Sequence, residues 1–133
     1  MKLKKIISNL SLEEKVSLLS GFDNWHTPDI KKHGIPKIKM SDGPNGVRGD
    51  SSTPQTSACF PSPILLGATW NEKLIKKIGS ATGEEALFKD VDVLLAPTIN
   101  LHRHPLGGRH FECYSEDPVL TSKIACSYVS GVQ

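Results

Sequence analysis

At residues 40–49 the chain reads Met-Ser-Asp-Gly-Pro-Asn-Gly-Val-Arg-Gly. The short run from Ile38 to Met40 predicts a β-strand, and the glycines and proline after it end that strand and let the backbone approach a ligand closely. Binding sites of α/β proteins lie just beyond the carboxyl ends of parallel strands. Asp42 is therefore a candidate ligand-binding residue, although an ordinary Asp-Gly turn would give the same pattern.

The segments that follow predict an α/β fold with parallel strands. The apolar runs at residues 64–68 and 91–96 are typical of strands that are buried on both faces. Between them a helix is expected from a cap at Asn71 to about Phe88, and its two glycines are expected to pack closely on the sheet. The order strand, loop, strand, helix, strand indicates parallel β/α architecture with a right-handed crossover.

Short helices are predicted elsewhere by their end signals. Ser11 with Glu14 forms a capping box for a helix that Gly21 would end, and Asp117 with Pro118 begins the last helix. Residues 29–33 could form one helical turn, closed by Gly34, and the proline-rich segment 49–63 is expected to be a loop without helix or central strand.

Length, composition and charge exclude several classes of protein. A chain of 133 residues with 38% hydrophobic and 23% charged residues is typical of one globular domain. The net charge of +2 and the absence of a long apolar run indicate neither a nucleic-acid nor a membrane partner. No signal peptide is recognisable, and three widely spaced cysteines favour reduced thiols, so we expect a cytoplasmic protein.

Residues 97–118 form a second candidate functional segment, because a polar loop of this length after a strand is rarely a mere connection. Its possible metal ligands and cations are His102, His104, His110, Cys113, Arg103 and Arg109. The fixed charges of the two arginines oppose a bound cation. We therefore expect no metal and no cofactor, and a metal module built on the histidines is only the weakest of the alternatives.

Recognition of neutral polyols suits the remaining side chains better. The sequence contains neither a nucleophile-elbow motif nor a glycine-rich phosphate-binding motif. A carboxylate such as Asp42 can accept hydrogen bonds from two vicinal hydroxyls, while the guanidinium of Arg109 donates to a third oxygen. Both residues follow predicted strands whose ends would face one edge of the sheet.

Several motifs together give the chain a family resemblance. In order and spacing it resembles the start of a glycoside hydrolase family 3 β-glucosidase over nearly all of its length. The matching motifs are Leu10-Ser11-Leu12-Glu13-Glu14-Lys15-Val16, Trp25-His26-Thr27, Gly34-Ile35-Pro36, Ser41-Asp42-Gly43-Pro44-Asn45-Gly46-Val47-Arg48, Cys59-Phe60-Pro61, Ala68-Thr69-Trp70-Asn71, Leu95-Ala96-Pro97, Gly107-Gly108-Arg109-His110-Phe111-Glu112 and Ser115-Glu116-Asp117-Pro118.

The resemblance implies that residues 1–133 are the amino-terminal portion of a catalytic (β/α)8 barrel domain, incomplete in this chain. It implies that Asp42 and Arg109 bind the nonreducing-end sugar in the subsite that is cleaved. Arg48 and Glu112 match motif positions near the same pocket. Trp25 matches a motif aromatic to which the resemblance assigns no role.

The resemblance also implies what this chain lacks. Family members retain anomeric configuration and use an aspartate nucleophile with a separate acid/base. That nucleophile lies in a Ser-Asp-Trp motif, which does not occur here. We therefore expect a fragment that binds a β-glucoside or small oligosaccharide, is inactive alone, and needs the remainder of its parent chain. By itself it is expected to be insoluble, disordered or oligomeric. The alternative is a non-catalytic carbohydrate-binding or interaction module.

Overall fold

The computed structural model describes residues 2–49 and 55–133. Within those residues the elements are, in order, α1 Lys2–Asn9, α2 Leu12–Ser17, a 3₁₀ turn Lys31–His33, β1 Met40–Asp42, α3 Pro63–Ala68, α4 Glu72–Phe88, β2 Val93–Leu95, a 3₁₀ turn His110–Glu112 and α5 Pro118–Val132. None of the helices in the described part is long and apolar enough to span a bilayer.

The two strands pair in parallel, which confirms the predicted parallel relation of strands, although not the full predicted order of elements. The register places Met40 opposite Val93 and Asp42 opposite Leu95, and helices α3 and α4 make the connection between the strands. Because the strands are parallel, their carboxyl ends lie at the same edge of the sheet. The loops that carry Arg48 and Arg109 both continue from this edge.

Strand β1 begins later than the sequence indicates. Met40 is its first residue, whereas Lys39 forms an isolated antiparallel bridge with His26. The backbone N–H of Lys39 donates to the carboxylate of Asp92 (N···O 2.8 Å). The residues before Met40 are therefore held by the preceding segment and by the approach to β2, and not by a neighbouring parallel strand.

The predicted strand at residues 64–68 is wrong, because this segment is helix α3. An apolar run of five residues does not distinguish a buried strand from a short buried helix. Pro63 suits the first turn of a helix, where its missing N–H needs no partner. Leu66 is buried on one face while Ile64 and Leu65 remain exposed, which is a helical and not a strand pattern.

Helices α4 and α5 form the main core, and they approach each other unusually closely. The buried core residues are Leu66, Ile75, Tyr114, Ile124, Ala125 and Tyr128. A Cβ atom at Gly79 would lie 2.3 Å from the carbonyl oxygen of Tyr128, and one at Gly83 would lie 2.6 Å from that of Val132. The expectation that these glycines pack on the sheet is therefore wrong, since their close neighbours belong to α5.

A second, smaller cluster joins the sheet to the end of α4. Val47, Ala86 and Val91 are buried together, and Leu94 of β2 packs against them. Val47 lies in the turn that follows Asp42, so this cluster fixes that turn on the carboxyl end of the long helix. The core thereby reaches directly beneath the candidate site.

Most local signals at the element ends are confirmed. The capping box at Ser11 forms, Gly34 closes the 3₁₀ turn in the left-handed region (φ 67°), and the Asp117 side chain caps α5. Helix α2 ends at Ser17, so the predicted end at Gly21 is wrong: the chain continues in 3₁₀-type hydrogen bonds that tighten the last turn.

The loop and cysteine predictions are tested only within the described part of the chain. Residues 55–62 contain neither helix nor strand, as predicted, and the rest of that loop at 50–54 lies outside the described residues. The three cysteines are free, as expected of reduced thiols.

Candidate functional site

Asp42 and Arg48 come together through a tight turn. Asp42 is the last residue of β1, and its carbonyl accepts a hydrogen bond from the backbone N–H of Arg48 (N···O 2.9 Å). The Arg48 Nη1 atom lies 3.9 Å from Asp42 Oδ2, and the two side chains are 69% and 46% exposed. Both charged groups are thus held near each other while remaining accessible to a ligand.

Two glycines make this turn possible. Gly46 has φ 141°, and a Cβ there would lie 2.1 Å from the carbonyl oxygen of Ala58. Gly49 has φ 70°, and its N–H donates to the buried Ser41 hydroxyl (N···O 3.0 Å). Residues other than glycine rarely adopt these angles. The Asp-Gly-Pro stretch therefore folds back beneath the end of β1 instead of continuing the strand.

Arg109 and Glu112 form a bidentate ion pair across the 3₁₀ turn. Arg109 Nε donates to Glu112 Oε1 (2.8 Å), and Nη2 donates to Oε2. The Glu112 side chain is 12% exposed whereas that of Arg109 is 75% exposed. A mostly buried carboxylate thus fixes the plane of an exposed guanidinium, which is the geometry that orients arginine for ligand recognition.

The charges of the two pairs influence the pKa values of Arg109 and Glu112. Hydrogen bonding and charge from Glu112 raise the pKa of Arg109, and the nearby carboxylate of Asp42 raises it further. Hydrogen bonds from Arg109 lower the pKa of Glu112. Burial acts in the opposite direction, and the charge of Arg109 lowers this pKa further. The structure therefore brings the four residues that the sequence analysis selected together as two pairs, Asp42 with Arg48 and Arg109 with Glu112, at loops that leave the same edge of the sheet.

The loop histidines are engaged with the backbone. His102 Nε2 is 2.8 Å from the His110 carbonyl oxygen and 3.1 Å from that of Cys113, and the His110 ring contacts the His104 carbonyl. The His104 ring accepts from the Leu106 N–H (3.2 Å). Among the described residues no three His, Cys, Asp or Glu side chains are grouped to hold a metal ion. These contacts stabilise the loop that carries Arg109.

Trp25 is half-buried beside the approach to β1. Its carbonyl accepts a hydrogen bond from the Met40 N–H (2.7 Å), and its own N–H donates to Asp23 Oδ1 (2.8 Å). The backbone at Trp25 therefore supports the start of the strand that ends at Asp42.

Sequence reasoning missed one buried group near the site. Lys89, directly after α4, is buried and paired with Glu85 four residues earlier. The spacing of the two residues was a usable signal, since charges four apart meet on a helix. The burial of Lys89 could not be predicted from the sequence, because a lysine at a helix end is ordinarily exposed.

Comparisons with known proteins identify the family of this chain. Residues 4–133 match the family description "Glycosyl hydrolase family 3 N terminal domain". The chain is 55% identical over 130 residues to a beta-glucosidase of Rhizobium radiobacter, covering 96% of this chain and 16% of that protein. It is 50% identical over 133 residues to beta-glucosidase B of Emericella nidulans, covering 99% of this chain and 16% of that protein.

Solved structures extend the comparison to the fold. The beta-glucosidase of Kluyveromyces marxianus in complex with glucose superposes with a TM-score of 0.90 at 42% identity, covering 98% of this chain and 16% of that one. Beta-glucosidase 3B of Thermotoga neapolitana, in complex with α-D-glucose, gives 0.86 at 40% identity, covering 100% and 21%.

The chain thus spans about 16% of the length of the curated relatives named above. The family description nevertheless covers nearly all of this chain, and the order of the sequence motifs agrees with it. The chain belongs to glycosyl hydrolase family 3, and residues 4–133 match the N-terminal domain of that family.

Proposed function

We propose that this chain supplies part of the sugar-binding subsite of a retaining β-glucosidase. In this proposal residues 1–133 form the amino-terminal portion of a (β/α)8 catalytic barrel domain. The parallel β1–β2 pair, connected through α3 and α4 and followed by α5, has the order of successive β/α units. The similarity to beta-glucosidases, some solved with bound glucose, supports the substrate class.

One observation carries the proposal: β1 and β2 pair in parallel with Asp42 opposite Leu95, so the turn after Asp42 and the loop that carries Arg109 leave the same edge of the sheet. The charge of Asp42 also contributes to the raised pKa of Arg109. A half-exposed carboxylate accepts hydrogen bonds from two vicinal hydroxyls, and an exposed guanidinium donates to a third oxygen. A pyranose ring presents that combination of groups.

Glu112 and Arg48 have supporting roles in this arrangement. Among the described residues Glu112 accepts from two of the five N–H groups of the Arg109 guanidinium, so the others remain for a ligand. Arg48 lies beside the Asp42 carboxylate, with its Nη1 atom 3.9 Å from Oδ2. The pair of carboxylates is thus balanced by a pair of arginines, which suits a neutral ligand.

The electrostatics of Glu112 argue that this carboxylate binds and does not react. A general acid for glycoside cleavage needs a raised pKa, so that it is protonated near neutral pH. Arg109 instead lowers the pKa of Glu112. We therefore assign binding to this chain and assign the nucleophile and acid/base to other parts of a longer enzyme, in keeping with the 16% coverage of the relatives.

A segment exchange tests the proposal. In a host chimera, this chain replaces the matching 130-residue segment of the Rhizobium radiobacter enzyme. We expect the host chimera to hydrolyse an aryl β-glucoside, because the binding groups are supplied in place, and the isolated chain to show no hydrolysis above the blank. Turnover by the pure isolated chain, or a folded but inactive host chimera, would contradict the proposal.

The Arg109–Glu112 pair predicts a specific pH dependence of stability. The pKa of Glu112 in the folded protein is below its ordinary 4.5, so the pair stabilises the fold above about pH 4.5 and this contribution is lost as the pH falls through the folded-state pKa. Glu112→Gln should therefore lower the thermal midpoint of the host chimera at neutral pH and have a smaller effect near pH 3. An equal difference at both pH values would show that the ion pair is not its cause.

A further inference from the structure

Lys89 is a buried cation outside the four-residue site. Its side chain is 1% exposed, and its ammonium group donates to the Val47 carbonyl (2.8 Å), to Glu85 Oε1 (2.7 Å) and to the Ser57 hydroxyl. A lysine ammonium has three donors, so these three acceptors satisfy it completely. A lysine whose three donors are all satisfied is characteristically a fixed part of the structure and not a mobile surface charge.

The partners of Lys89 lie on two separate parts of the chain. Val47 belongs to the turn after Asp42, whereas Ser57 belongs to the loop before α3. The Ser57 hydroxyl also donates to the Val47 carbonyl (2.7 Å), and the Ala58 N–H donates to Glu85 Oε1 (3.1 Å). The Glu85–Lys89 pair therefore fastens the turn and the loop to the carboxyl end of α4.

The Glu85–Lys89 pair is adjacent to the site residues. Two hydrogen bonds join the turn to β1. The Arg48 N–H donates to the Asp42 carbonyl (2.9 Å), and the Gly49 N–H donates to the Ser41 hydroxyl (3.0 Å). A Cβ at Gly49 would lie 3.6 Å from Cδ of Lys89, so the lysine stem packs beneath Gly49 while its ammonium holds Val47. Arg48 lies between these two anchored residues.

Stability alone is a poor explanation for such a pair. Burying two charges costs desolvation energy, and well-packed apolar residues of similar size are often equally or more stabilising. What an apolar pair could not do is donate a hydrogen bond to the buried Val47 carbonyl. The specific contribution of Lys89 is therefore the position of the turn.

We propose that Lys89 is a positioning residue that holds the turn at 43–49 so that Asp42 and Arg48 face the sugar. The proposal rests on the proposed function in taking a sugar as the ligand. Loss of the ammonium would leave β1 and the helices in place but would leave the Val47 carbonyl held by the Ser57 hydroxyl alone, and so loosen the orientation of Arg48.

The test uses variants of the host chimera that separate positioning from charge burial. Lys89→Met alone leaves Glu85 buried and unpaired, so it can fail to fold. The double variant Glu85→Gln, Lys89→Met removes both charges and keeps an acceptor for the Ala58 N–H. Lys77→Met, at an exposed lysine on the same helix, is the matched control. Ser57→Ala is a milder variant that loosens the same turn while the ion pair stays.

We expect the double variant to unfold at the temperature of the control and to have a KM for an aryl β-glucoside raised about tenfold, equivalent to about 1.4 kcal/mol. Amide hydrogen exchange at Arg48 and Gly49 should accelerate, while exchange in α5 is unchanged. Ser57→Ala should give the same pattern with a smaller rise in KM, and it decides the matter if the double variant does not fold.

The proposal is overturned if the folded variants keep the KM and the local exchange of the control. Hydrogen exchange needs no turnover, so it reports on the turn even where the proposed function fails. Failure of the proposed function has a different signature: Asp42→Asn would then leave the KM of the host chimera unchanged, whatever happens at Lys89.

Discussion

Asp42→Asn is expected to lower the kcat/KM of the host chimera for an aryl β-glucoside by about 10²- to 10⁴-fold. A hydrogen bond to a charged group contributes about 1.5–3 kcal/mol, and the proposal assigns two of them to this carboxylate. Their combined loss of about 3–6 kcal/mol converts to this range, since about 1.4 kcal/mol corresponds to a factor of ten. The substitution keeps the shape of the side chain and removes its charge and one acceptor.

Asp29→Asn is the matched control for this experiment. Asp29 is exposed, and its carboxylate lies 3.7 Å from the Lys31 ammonium, away from the four-residue site. We expect this variant to keep the kinetic constants of the parent. If Asp42→Asn behaved like the control, with its fold intact by circular dichroism, Asp42 would not be a sugar ligand and the proposed subsite would have to be abandoned.

The second large effect is expected at Gly79, where Gly79→Ala should destabilise the fold. A Cβ at this position would lie 2.3 Å from the Tyr128 carbonyl oxygen and 3.1 Å from Cα of Gly131. Both obstacles are backbone atoms of α5, so the helices would have to separate. Helix propensity favours alanine over glycine by about 1 kcal/mol, but overpacking costs about 1–3 kcal/mol and forfeits core contacts as well.

We expect Gly79→Ala to lower the thermal midpoint of the host chimera by several degrees. Gly108→Ala is the control, because a Cβ there would meet no atom within 4 Å. Comparison of the two variants separates the effect of close packing on the thermal midpoint from a general effect of alanine. A midpoint that rises with Gly79→Ala would mean that propensity outweighs contact, and hence that α4 and α5 are not packed backbone against backbone.

Local signals predicted much of the secondary structure. The helix from Glu72 to Phe88 follows from its apolar periodicity and the Asn71 cap, and α5 follows from Asp117 and Pro118. Such signals depend on hydrogen bonds and spacings within a few residues, so the sequence displays them directly. The apolar segment at 64–68 was misassigned because five apolar residues fit either a strand or a short helix, and only their neighbours distinguish the two.

The candidate site was predictable as a set of residues but not as a geometry. Asp42 stood out because it follows a strand, and Arg109 because it lies in a long polar loop. Periodicity contains no information on whether two distant loops meet. The structure supplies that information through the parallel register, which places Asp42 opposite Leu95 so that the two loops leave the same edge of the sheet.

The sequence by itself determined the helix caps, the parallel relation of β1 and β2 and the residue types that suit a sugar. Only the tertiary structure decided that Gly79 faces another helix, that Lys89 is buried, and that Arg109 pairs with a mostly buried Glu112. The physical reason is the separation along the chain over which each kind of interaction acts. Capping and periodicity act between residues a few positions apart, whereas burial and charge pairing depend on which distant backbone folds alongside.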